Sequence, residues 1–212
     1  MKLYVKQFVR KIDLSIWNRR QQFELFSGYD NPYWSVTVNV DCTKMYQRSK
    51  QSGFPFYLGY HYASLHAANT VDTFRQRIEN GKPVEYDTVH LSTTIARQDG
   101  TFGFSFTEFS DDFEKFVADG ISESERVKNS TELFSGHSEA DVIYYTVLRG
   151  VTFMSDYQPY QAGSSVPILV FGETFIENGI YKIPHSIHVN HALVDGQHVS
   201  QYIQSFQQFL ND

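Results

Sequence analysis

The sequence predicts an α+β layer fold built on a mixed or mainly antiparallel sheet. Three observations lead there. YWSVTVNVD, residues 33–41, alternates cleanly, with Trp34, Val36, Val38 and Val40 on one face and Ser35, Thr37 and Asn39 on the other. That is the period of a half-buried strand. Hairpin signals recur along the chain, two of them as Asn-Gly pairs whose ease at positive φ suits a type I′ turn. Helical patterns lie between the strands without strict strand–helix–strand alternation, which argues against an all-parallel sheet.

Taken in order, SIWNRRQQFELF (15–26) reads as a short helix with Ser15 as its cap. After the strand at 33–41, TKMYQRSKQSG and the more apolar FPFYLGYHYASLHAANTV read as two successive helices. FRQRIENGKPVEY turns at Asn80-Gly81, and LSTTIARQDGTFGFSFTEF forms a second hairpin with Phe102, Phe104 and Phe106 on one face of its second strand. SDDFEKFVADGISESERVKNS opens on Ser110 as a cap with an acidic first turn, the signature of a long surface helix. DVIYYTVL and VPILVFGETF read as buried strands, and Asn178-Gly179 turns the chain into IYKIPHSIHVNHA. The last segment spaces Val199, Tyr202, Ile203, Phe206 and Leu210 along one helical face. No linker, low-complexity tract or internal repeat interrupts the chain, so residues 1–212 are expected to form a single domain.

With 41% hydrophobic and 20% charged residues the chain has the means to build a full core and does not read as disordered. Aromatics at 16% exceed what strands alone require and suit an apolar ligand pocket. The net charge of −6 argues against nucleic acid or an anionic membrane as partner, since both ask for a basic footprint. One cysteine excludes an intrachain disulfide. MKLYVKQFVRK lacks a signal-peptide core and no apolar run approaches the roughly 20 residues of a membrane span. The expectation is a cytoplasmic protein.

HVNHALVDGQHV (188–199) concentrates polar chemistry. Pro184, Ile187 and Val189 favour a strand, on which His185 and His191 share a face and His188 points to the other, so one strand does not present all three to one metal ion. HExxH and CxxC are both absent. Two readings stay open from the residues alone: a strand ending in a polar turn, or His191 held at an element's end as a general base on a hydroxyl or thiol. Asp195, one turn on, then braces the backbone or steadies positive charge.

NHALVDGQHV resembles the signature of the chloramphenicol acetyltransferase family, His-His-Ala-x-x-Asp-Gly-Phe-His-Val followed by a terminal helix, with Asn190 in place of the first histidine. WNRRQQFELF, GTFGFSFTEFSDDFEKF and TELFSG resemble three further landmarks in the same order, so the likeness runs along essentially the whole chain. The resemblance implies a two-layer α/β sandwich, shared with the cores of the dihydrolipoyl acyltransferases. It implies a homotrimer with sites at the subunit interfaces, the base from one subunit and most of the pocket from its neighbour. It makes acetyl-coenzyme A a co-substrate, with no permanently bound cofactor, and a small hydroxyl compound such as chloramphenicol the acceptor.

By the same resemblance His191 is the base, Arg19 pairs with Asp195, and Thr146 stands where the family has an oxyanion-stabilising serine. The matching acceptor-pocket positions are Leu25, Phe26, Trp34, Phe102 and Phe134. Val170 replaces a threonine that binds an ordered water, and Glu173 and Thr174 replace a Lys-Tyr pair near coenzyme A. The alternatives are the same fold and chemistry with another acyl acceptor or donor, or a non-catalytic relative that binds apolar ligands.

Overall fold

The computed structural model describes residues 8–134, 136 and 140–212. Along the chain run β1 (Val9–Lys11), α1 (Arg20–Phe26), β2 (Tyr33–Asp41), α2 (Thr43–Ser52), α3 (Phe56–Thr70), β3 (Gln76–Glu79), β4 (Lys82–Tyr86), β5 (His90–Ala96), β6 (Phe102–Thr107), α4 (Phe113–Lys128), β7 (Val142–Val147), β8 (Ile168–Phe171), β9 (Phe175–Glu177), β10 (Ile180–Asn190) and α5 (Gly196–Asn211). The main sheet has the order β2-β10-β8-β7-β5-β6, with β9 pairing β10; β1, β4 and β3 form a small second sheet. The pairs β5–β7 and β7–β8 are parallel and the others antiparallel, so the sheet is mixed. Helices pack against it as the second layer, as the α+β reading predicts.

The turn chemistry acts as expected. Asn80 and Gly81, and Asn178 and Gly179, all take positive φ, which closes both two-residue hairpins with the twist the strands need. Gly53 ends α2 in the left-handed conformation. Two caps differ from expectation. Ser15 does not start α1: its backbone N–H and its hydroxyl both donate to Asp13, which closes a local turn, and the helix begins at Arg20. Ser110 does not cap α4 either; Asp112 does, accepting from the Lys115 N–H, while Ser110 accepts from Asp112. In the first case the serine is itself a donor to an aspartate, and in the second the helix starts two residues later, on an aspartate that accepts from its first turn. The short β1 has too few residues to declare itself by period.

The core lies between the sheet and α3 and α5, where Leu65, Ala67, Phe74, Ile143, Leu169, Phe171, Ile187 and Phe206 are fully buried. A polar chain threads it. His185 hydrogen-bonds the Val170 carbonyl at 3.2 Å and the Tyr202 hydroxyl at 2.8 Å; Tyr202 meets Ser64, and Ser64 meets Tyr145. Because Tyr145 turns toward α3 to make that bond, its neighbours Tyr144 and Thr146 face away from the helix layer.

Burial holds the imidazoles of His61 and His185 neutral, each with its pKa pushed down to about 3. The unfolded chain takes up protons near pH 6.5, so below that the unfolded state binds more protons than the folded one and stability falls with pH. Each group contributes about 1.4 kcal/mol per pH unit across that window. Chemical denaturation between pH 6 and pH 4 is therefore expected to show a loss approaching about 3 kcal/mol per unit from the two histidines together; substituting either should remove about half of that slope.

Candidate functional site

Two groups of the expected residues assemble, at separate places. The first surrounds His191. β10 ends at Asn190, whose side-chain oxygen accepts from the Ala192 N–H at 3.0 Å and whose carbonyl accepts from Leu193 and Val194. This turn holds His191 just past the strand, with its backbone N–H on the Pro32 carbonyl at 2.8 Å. The imidazole stacks on Phe26 with centroids 3.9 Å apart and planes 9° from parallel, and Trp34 lies at 5.4 Å. Trp34 is itself tied by its indole N–H to the Val194 carbonyl at 3.1 Å. Neither ring nitrogen of His191 has a hydrogen-bond partner among the described residues; Nδ1 is buried, which leaves Nε2 as the atom open to a substrate. Leu25, next to Phe26 in α1, is 57% exposed.

Asp195 caps α5. Its carboxylate accepts from the N–H groups of Gln197 and His198, and His198 Nδ1 accepts from the Asp195 N–H, a reciprocal capping box. Arg19 donates to the same carboxylate. Burial pushes the Asp195 carboxyl up, but the Arg19 hydrogen bond and the charges of His198 and Arg19 outweigh it and hold the group below its ordinary range. Asp195 is one-third exposed, so the full cost of breaking a buried pair does not apply. Asp195→Ala is instead expected to cost about 1–2 kcal/mol, mostly the lost cap, with a drop in activity through the slackened turn after His191. Thermal melts and initial rates measure both. The depressed carboxyl means that this contribution is present above the ordinary aspartate range and is lost as pH falls through the folded value.

The second group lies around Thr146. Thr146 is the register partner of Val170, and Val170 of Ser186. From Ser186 the strand runs on through His188 and Asn190 before His191 is reached. At about 3.3 Å per residue and about 4.8 Å per strand spacing, Thr146 and His191 of one chain lie roughly 20 Å apart. Two cavities, of about 590 and 850 Å³, meet at Thr146 and share Phe104, Gln158 and Pro159. Phe134 lines the smaller, stacked on Phe104 at 5.2 Å, and Phe102 lines the larger with Glu173 and Thr174. Val170 is fully buried beside Thr146 and lines neither. The expected pocket residues thus divide: Phe26 and Trp34 meet His191, with Leu25 exposed next to Phe26 in the chain, and Phe102 and Phe134 line the cavities at Thr146.

Sequence reasoning missed much of the smaller cavity. Tyr33, Tyr144, Gln158 and Tyr160 line it, along with Arg77, which is buried and donates to the carbonyls of Phe74, Gln76, Ala140 and Val142. Phe104 was legible on the Phe102–Phe106 face; the residues of the 157–165 segment carry no periodic signal. As strand alternation predicts, His188 points to the face opposite His185, which hydrogen-bonds Tyr202 in the core. His188 meets Asp156 and Ser186, each at 3.1 Å, on the outer face. Among the described residues no group of three or more His, Cys, Asp or Glu is arranged to hold a metal ion, and no helix is long and apolar enough to cross a membrane.

A family model described as chloramphenicol acetyltransferase matches residues 7–207. Among curated proteins the chain is similar to chloramphenicol acetyltransferase 3 of Escherichia coli, 27% identical over 95% of this chain and 96% of that one. It is similar also to a chloramphenicol acetyltransferase of Clostridium perfringens, 29% identical over 95% and 98%. A solved chloramphenicol acetyltransferase superposes with a TM-score of 0.90 at 27% identity, covering 96% of this chain and all of that one. The dihydrolipoamide acetyltransferase of Azotobacter vinelandii superposes at 0.63 and 14% identity, a likeness of fold, over 91% of this chain and 86% of that one.

Proposed function

The chain belongs to the chloramphenicol acetyltransferase family, and from that premise we propose that it moves an acetyl group from acetyl-coenzyme A to a hydroxyl of chloramphenicol, with His191 as general base. The observation that carries the reading is an imidazole clamped at the end of β10 with one ring nitrogen open. In the reaction Nε2 takes the proton of the acceptor hydroxyl as its oxygen attacks the thioester carbonyl. The Thr146 hydroxyl donates to the oxyanion that forms. Collapse expels the coenzyme A thiolate, which recovers the proton from the imidazolium. The Phe26 face beside the ring favours that transient cation.

The roughly 20 Å between His191 and Thr146 within one chain supports a site completed by a second copy, and with it the homotrimer. Light scattering should then give three chains per particle, and an active monomer would contradict the arrangement. The direct test is purified protein with acetyl-coenzyme A and chloramphenicol, followed by free thiol and by product mass. Acetylated drug is the expected result. A second reading keeps the chemistry and changes the acceptor; the tyrosines and glutamines among the phenylalanines of the smaller cavity favour it. Thiol release with another hydroxyl compound and none with the drug would select that second reading.

A further inference from the structure

β6 is the last strand of the main sheet, so the backbone groups on its outer edge face no further strand. Other groups meet them. The Phe104 N–H donates to the Leu133 carbonyl at 2.7 Å, and the Phe106 N–H donates to the Glu123 carboxylate of α4 at 2.9 Å. The Phe102 carbonyl accepts from Arg97 at 3.1 Å. Arg97 also donates through Nε to the Val127 carbonyl, in the last turn of α4, at 3.0 Å, and through Nη2 to the Glu132 carbonyl. One planar guanidinium thus joins β6, the end of α4 and the segment that leads to Phe134, a forked geometry that an ammonium does not reproduce.

A glycine makes room for this clip. Gly103 lies inside β6, paired with Ile95, and is not among the residues at positive φ, so its backbone asks for no glycine. Glycine within a strand weakens it and marks a close approach. A Cβ on Gly103 would overlap Arg97 Nη2 and stand 2.9 Å from Val127 Cγ1. The guanidinium fills the space that Gly103 leaves. The backbone of Arg97 is fixed as well, its N–H donating to the Thr101 carbonyl across the β5–β6 turn at 2.9 Å. What the clip holds is a wall of the site. Phe104 borders both cavities at Thr146, and Phe134 stacks on it with planes 7° apart. Phe134 is half-exposed, so little packing besides this stack and the Glu132–Leu133 main chain fixes it. Arg97 itself lines neither cavity.

We propose that Arg97 is a positioning residue for the acceptor: seated over Gly103, it sets the Phe104–Phe134 wall by holding the main chain at Glu132 against β6 and α4. The inference rests on the acetyl-transfer reading. Its effect falls on acceptor affinity and not on the transfer step, which belongs to His191 and Thr146.

Arg97→Ala, Arg97→Lys and Gly103→Ala are compared with the unmodified protein by initial rates, thermal melts and hydrogen exchange of the β6 amides. The acceptor is chloramphenicol, or the hydroxyl compound that thiol release identifies in its place. Arg97→Ala is expected to raise the acceptor KM about 3- to 10-fold, the worth of an aromatic stacking contact, with kcat and the acetyl-coenzyme A KM each within about twofold. Arg97→Lys should fall between, because one ammonium does not reach all three carbonyls. Gly103→Ala keeps Arg97 but evicts its guanidinium, and should raise the acceptor KM in the same way. The Phe104 amide should exchange faster in all three, a readout that needs no turnover. Where Arg97→Ala does not fold, the other two variants decide. Folded variants that keep the acceptor KM of the unmodified protein overturn the inference. So does a fall in kcat and melting temperature with both KM values moving together, since Arg97 is then a fold residue only. An unmodified protein that turns over no hydroxyl acceptor overturns it together with the acetyl-transfer reading; an active protein whose variants leave Phe104 exchange untouched overturns this inference alone.

Discussion

His191→Ala is expected to lower turnover by at least about 10²–10⁴-fold, the range that a positioned general base contributes, while the protein remains folded. The ring lies beyond the last residue of β10 and its side chain makes no hydrogen bond among the described residues, so truncation removes a stacking contact with Phe26 and no polar network. His188→Ala and His198→Ala serve as controls. His188 is engaged by Asp156 and Ser186 on the outer face, and His198 closes the capping box of α5. Their loss should appear mainly in stability, with turnover reduced far less. Rates measured beside thermal melts separate the cases, and equal losses of rate for all three would remove His191 from its role.

Thr146→Val comes next in size. Valine keeps the branched shape and removes the hydroxyl, and the loss of one oxyanion donor costs about 10²–10³-fold in turnover. The side chain stands where the two cavities join, on the sheet face opposite the helices, so the substitution changes the donor with little effect on the core. Thr146→Ser, which keeps the hydroxyl and frees its rotamer, should retain most activity. The expected signature is a fall in kcat with KM nearly constant, because the interaction forms in the transition state. If valine works as well as threonine, the oxyanion is stabilised by another group.

Much of the fold was legible in local chemistry. The period-two run at residues 33–41 became β2 with the expected faces, and both Asn-Gly pairs became tight hairpins. The apolar stripe of the last segment became the buried face of α5. The misplaced caps, Ser15 and Ser110, show the limit of the same reasoning: each lies within two residues of an aspartate, Ser15 donating to Asp13 and Asp112 taking the cap of α4, and a pattern of residue types does not rank such neighbours. Of the candidate site, the sequence motif named His191, Asp195 and Arg19, and the pairing of Arg19 with Asp195 is present.

What the sequence by itself determined is therefore what short-range physics sets: the period of strands and helices, the turns that need positive φ, and the residue types at the end of β10. Only the tertiary structure decided the order β2-β10-β8-β7-β5-β6 and the two parallel pairings within it. It alone separated Thr146 from His191 and joined the two cavities at Thr146. It also buried His61 with no hydrogen-bond partner for its ring nitrogens among the described residues. These features depend on register between segments far apart in the chain, where a shift by one residue would turn each side chain to the opposite face, and no local pattern carries that information.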